Sequence, residues 1–199
     1  MLAAATRTVA LLRPARKPLH PAGEILRGRV LRRGSDTTSG VPWLDEPGSD
    51  HVVVRLSRAI GLPQALPDIH GLALRLELPD GRADLLLAST GWGRLSRFVL
   101  TFGQEPESRP LTSLLPYRTA SGPVLLGARA STPSSYELSW CSAGGSWRSF
   151  ATLELTGETS SDEHVSFDPV LNQVPGLAQY PAVVRLREPS YLRARRSRR

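Results

Sequence analysis

Arg187 and Tyr191 stand four positions apart near the end of the chain, with Pro189 between them. Proline suits the first turn of a helix, where its missing N–H would have no partner in any case. On such a helix Arg187 and Tyr191 lie one turn apart on the same face. A guanidinium that close favours the phenolate over the phenol. The tyrosine then becomes a hard anionic oxygen ligand, of the kind that binds ferric haem iron. Plain packing on a helix surface produces the same spacing, so the pair decides nothing by itself.

Other chemistries find less support. Cys141 is the only cysteine, which excludes an intrachain disulfide and a thiolate zinc or iron–sulfur site. His51, His70 and His164 show no metal-ligand spacing with one another or with Cys141. No Gly-x-Ser-x-Gly nucleophile elbow occurs, and the glycines at 91, 93, 144 and 145 do not form a phosphate loop. Trp92, Trp140 and Trp147 read as packing residues.

These residues must be positioned by a 199-residue chain containing 17 Gly and 17 Pro, a composition of short apolar runs and many turns. A helix is expected over 1–16, then a Pro-interrupted arm through Pro18 and Pro21. Strands are expected over 24–33, 51–58, 71–78, 83–89, 97–102, 122–130, 136–141 and 147–156. Pro79-Asp80-Gly81 marks a hairpin. Residues 34–49 read as a loop anchored by Trp43 and Leu44, and the pattern after Asp168 becomes helical. The sum is a mainly β chain of α+β type, an antiparallel barrel with helical segments at both ends. One domain over 1–199 is expected: arm 1–23, barrel 24–160, helical segment 165–199.

Charge is uneven. Residues 185–199 hold seven arginines against one glutamate, six of the seven formal positive charges of the chain. A basic end can bind nucleic acid or anionic lipid, or face the carboxylates of a bound cofactor. It lacks the interleaved aromatics of a single-strand binding surface, so nucleic acid is the least favoured. No apolar stretch reaches the roughly 18–20 residues of a membrane span. With no disulfide and no secretory core, a cytoplasmic location is expected.

Three further stretches matter together with the Arg–Tyr pair. They are Lys17-Pro18-Leu19-His20-Pro21-Ala22-Gly23; Val52-Val53-Val54-Arg55-Leu56-Ser57 with Asp68-Ile69-His70-Gly71-Leu72-Ala73; and Asp84-Leu85-Leu86-Leu87-Ala88-Ser89-Thr90. In order and residue type they resemble the N-terminal barrel of the haem catalases and related peroxidases. That family has His followed by Ala-x-Gly, a Val-Arg-Phe-Ser strand, Asp-x-Arg-Gly-Phe-Ala, Asp-Leu-x-x-Asn-Asn-Thr, and an Arg-x-x-x-Tyr helix with an arginine seven residues further on, here Arg198.

The resemblance implies a catalase-like β-barrel holding haem b (iron). Tyr191 would be its metal ligand, and Arg187 would keep that ligand anionic. His20 would act as the catalytic imidazole on the opposite face, moving a proton between the oxygens of a peroxide. Ser57 would fix the tautomer of His20. Arg55, Arg198 and Lys17 would hold the propionates, and Ser89 would take the place of the family's distal asparagine. A peroxide or organic hydroperoxide is the implied substrate, with a homo-oligomer possible. Departures at Lys17, His70 and Ser89, and the short chain, point to modest turnover. The rival readings are a haem-free barrel for a small apolar ligand or protein partner, and a non-catalytic haem carrier.

Overall fold

A computed structural model describes residues 23–63, 65–79, 81–159 and 165–185. Alternation of apolar and polar residues sets the strands. In β1 (Gly23–Arg32), Leu26 and Val30 turn inward while Arg27 and Arg29 face water. The same period of two places Val52, Val54 and Leu56 of β2 (Gly48–Arg58), Leu72, Leu74 and Leu76 of β3 (His70–Leu78), and Ala83, Leu85 and Leu87 of β4 (Gly81–Ser89) on one common face.

The chain continues through β5 (Leu111–Thr112), β6 (Tyr117–Thr119), β7 (Gly122–Thr132), β8 (Ser135–Ser142) and β9 (Arg148–Thr159) to β10 (Ala178–Gln179). All pairings are antiparallel. Strands pair in the order β1-β2-β3-β4-β5-β7-β8-β9, and β9 returns to β1, so eight strands close into a barrel. β6 and β10 extend one edge of β7. Closure removes the free edges that an open sheet of this length would expose.

The interior is filled by Leu, Val, Phe150, Tyr136 and Trp140. A residual space of about 10 Å³ beside Leu74, Leu85, Leu126 and Leu138 has room for no more than one water. That particular space is too small for an apolar ligand. A short helix, α1 (Pro42–Asp45), plugs one end with Trp43 packed edge-on to Phe150 at 5.2 Å. The Trp43 indole and Arg32 both donate to the Asp50 carboxylate, at 3.0 and 2.8 Å.

Two expectations need correction. Residues 97–102 form no ladder strand: a 3-10 turn, Ser96–Phe98, is followed by an isolated bridge between Thr90 and Leu100. Arg97 is the cause, because its guanidinium is buried against Trp147, Cys141 Sγ and the Gly145 carbonyl rather than turned outward. Residues 165–180 make turns and β10, and a helix begins only at 181–185. The expected 1–16 helix lies outside the described residues, as does the chain beyond 185.

Candidate functional site

Arg55 and Ser57, two of the residues singled out in the sequence, lie on the outer wall of β2, β3 and β4. Register fixes which side chains meet there. Arg55 is flanked by Ile25 on one side and Ala73 on the other, and Ala73 by Leu86. One row along, Ser57 is flanked by Gly23 and Gly71, and Gly71 by Ala88. The result is a wall of small and aliphatic residues carrying one guanidinium and one hydroxyl, all half-buried where burial is defined. Gly71 has a specific reason to lack a side chain: a Cβ there would sit 2.7 Å from Ser57 Oγ. The absent methyl leaves the space that the Ser57 hydroxyl occupies.

Two buried aspartates bracket this wall. On one flank, Asp84 accepts both Arg75 Nε and Nη2, at 2.8 and 2.9 Å, together with the Asp168 N–H and the Asn172 amide, each at 2.7 Å. Arg75 also lies over the Phe167 ring, 5.2 Å from its centroid. These contacts bind residues 166–172 to the outside of the sheet. On the other flank, Asp68 accepts the N–H groups of Ile60, Gly61, Leu62 and Ile69 at 2.7–3.0 Å. Burial alone would raise its pKa, but the four backbone donors outweigh that and hold the carboxyl below its ordinary value. Arg58 adds a longer ion pair at 3.6 Å.

Of the residues singled out in the sequence, Arg55 and Ser57 come together on this wall. Ser89 does not. Its neighbour Ala88 shares a row with Gly71 and Ser57, so Ser89 faces the opposite side of the sheet from Ser57, and the residue is fully buried. The Ser89 hydroxyl accepts the His70 N–H at 3.0 Å and donates to the Thr101 carbonyl at 2.6 Å. It is a tie between a strand and a loop, and the expected role beside a peroxide is corrected on that ground. The neighbouring position on the wall is Ala88. His70 is likewise structural, with Nε2 3.0 Å from the Gly103 carbonyl oxygen. Lys17, His20, Arg187, Tyr191 and Arg198 lie outside the described residues. His20 is nonetheless only three residues from Gly23, the strand partner of Ser57, a chain length of at most about 11 Å.

Sequence reasoning gave Asp84 and Asp68 no role. A single carboxylate inside the leucine run of β4 is the signal that points to a buried partner, because such a run cannot carry an unpaired charge.

The architecture is therefore an eight-stranded antiparallel barrel whose candidate site lies on its outer wall. No family model matches the chain, and no curated protein matches it in sequence. Solved structures do. Catalase A from Saccharomyces cerevisiae matches with a TM-score of 0.68 at 12% identity, covering 98% of this chain and 63% of that one. A fungal catalase matches with a TM-score of 0.62 at 11% identity, covering 90% and 58%. The fold is catalase-like, and this chain spans about three fifths of the length of those catalases.

Proposed function

We propose that the chain binds haem b against the outer wall of β2–β4 and acts on a peroxide or organic hydroperoxide. The observation that carries this reading is the adjacency of Arg55 and Ser57 on a wall of small side chains, three residues of chain away from His20. A flat conjugated ring needs a wall without large projections, and Gly71, Ala73 and Ala88 supply one. Its carboxylates need a fork-shaped cation, and Arg55 supplies that, with Arg198 and Lys17 completing the set. Tyr191 would ligate the iron, with Arg187 holding it as phenolate.

Haem, when bound, supplies ferric iron for cleaving an O–O bond. The chain supplies the proton handling. Neutral His20 takes a proton from one peroxide oxygen at its free ring nitrogen and returns it to the departing oxygen. The Ser57 hydroxyl accepts from the other ring nitrogen and fixes the tautomer. Ala88 offers no hydrogen bond, so His20 is the one side chain named here that holds the substrate proton. A single donor beside a small residue favours a bulkier hydroperoxide at modest rate over rapid dismutation of hydrogen peroxide.

The test is the visible spectrum of protein purified from haem-supplemented cells. A Soret band with a high-spin ferric tyrosinate signature is expected. Tyr191→Phe should remove it, and His20→Ala should keep it while abolishing peroxide turnover. A Soret band unchanged by Tyr191→Phe would end the ligand assignment. A band that never forms on reconstitution would end the reading as a whole.

A further inference from the structure

Two rows of side chains form the candidate wall, and a third borders it. Gly23, Ser57, Gly71 and Ala88 make the first row, and Ile25, Arg55, Ala73 and Leu86 the second. The bordering row runs Arg27, Val53, Arg75 and Asp84. Within it Arg75 and Asp84 are committed to each other at 2.8 and 2.9 Å, and Arg75 lies over the Phe167 ring as well. Val53 beside them is buried. Arg27 stands at the β1 end of this row, exposed.

No carboxylate pairs with Arg27 in register. Its partner on β2 is Val53. Towards β9 the ladder skips it: Leu26 pairs with Thr159 and Gly28 with Leu155, so a bulge containing Gly157 at φ 74° stands opposite. That bulge serves the backbone, with Thr156 Oγ1 donating to the Arg27 carbonyl at 3.1 Å. Arg29, two residues on, has Glu154 directly across the same ladder. The cation nearest to Arg27 on its own face of β2 is Arg55, its diagonal neighbour at about 7–8 Å. A planar ring lying on the first two rows, with its carboxylates on one edge, can present that edge to Arg55 and Arg27 together. We propose that Arg27 holds one carboxylate of the porphyrin, in addition to the cations already named. The proposal rests on the haem reading above but not on the iron, because a guanidinium recognises the carboxylate whether or not a metal fills the ring.

The test is a fluorescence titration of the full chain with metal-free protoporphyrin IX and with its dimethyl ester, circular dichroism confirming the fold of each variant. Arg27→Gln should weaken binding of the free acid about three- to tenfold, the loss of one charge-assisted pair at a partly wetted edge. Binding of the ester, which carries no ionised carboxylate, should not change. Arg27→Lys should recover part of the loss, and Arg29→Gln should cause none. Added salt should narrow the gap between Arg27→Gln and the parent chain. An Arg27→Gln effect below about twofold, or an equal loss with the ester, overturns the proposal and leaves the haem reading standing. A parent chain that takes up neither haem nor the metal-free porphyrin overturns both.

Discussion

Replacing Asp84 with alanine tests whether one carboxylate holds the flank of the candidate wall. The side chain is fully buried and accepts four hydrogen bonds, two of them from Arg75, whose own side chain is 13% exposed. Removing it leaves a largely buried guanidinium without its counter-ion, a change that costs about 3–5 kcal/mol. Arg75 keeps the Ser166 carbonyl and the Phe167 ring, so the lower end, about 3 kcal/mol, applies. At this chain length that corresponds to a fall in Tm of about 6–12 °C. Asp84→Asn preserves the volume and part of the hydrogen bonding, and should cost about half as much. The decisive variant is the double Asp84→Ala, Arg75→Met. With both charges gone it should be more stable than Asp84→Ala alone, because the penalty lies in the orphaned cation rather than in the lost contacts. Urea unfolding followed by circular dichroism and by tryptophan fluorescence measures all three. An Asp84→Ala cost below about 1 kcal/mol, or a double variant no more stable than the single one, would refute the reasoning.

Other predictions are briefer. Asp68 has its pKa lowered in the fold, so the stability it contributes is present above the unfolded value of 3.8 and is lost as pH falls through the lower folded value. Asp68→Asn should be less stable at neutral pH and should flatten the acid limb of a stability-against-pH curve. Burial pushes the Cys141 thiol up to about 11, although Arg97, donating to its sulfur at 2.7 Å, works the other way. It should resist a disulfide reagent at pH 8 in the native state and react promptly in urea. A Cβ on Gly127 would lie 2.8 Å from the Trp92 ring and 2.9 Å from the Trp147 ring, which stack on each other with centroids 4.2 Å apart. Gly127→Ala should therefore cost about 1–3 kcal/mol and shift the tryptophan emission.

The barrel was legible wherever a strand needed only its own alternation. Val52 to Leu56 and Leu72 to Leu76 declare their inward face by period, and the Pro79-Asp80-Gly81 turn pairs Leu78 with Gly81. That pairing carries the register down the hairpin to Gly71 and Ala88, so the face of Ser89 was within reach. Matching a motif by residue type led to Ser89; counting along the hairpin leads to Ala88. Residues 97–102 were not legible, because their conformation answers to Cys141, Gly145 and Trp147, more than forty positions away. The short strands β5, β6 and β10 carry too few residues for any period to show.

Three buried aspartates do comparable work in this barrel. Asp50 ties Arg32 and the indole of Trp43, and so seats α1 at the barrel end; Asp68 gathers four backbone N–H groups of one loop; Asp84 seats residues 166–172. Each joins an irregular segment to a strand, and each is satisfied by donors rather than left as a charge for a ligand. None of the three is therefore free to serve as a catalytic acid, although all are among the most buried acids described. The polar side chains of the bracketed wall named above are Arg55 and Ser57, both carried by the middle of the sheet rather than by a loop. A guanidinium and a hydroxyl on rigid strands can orient a planar, anionic group, but neither can move a proton near neutral pH. A proton-transferring side chain has to come from elsewhere, and in the proposed reading it is His20, three residues before Gly23 in the sequence. That is the physical reason His20, rather than the buried His70, is the imidazole on which the proposed chemistry depends.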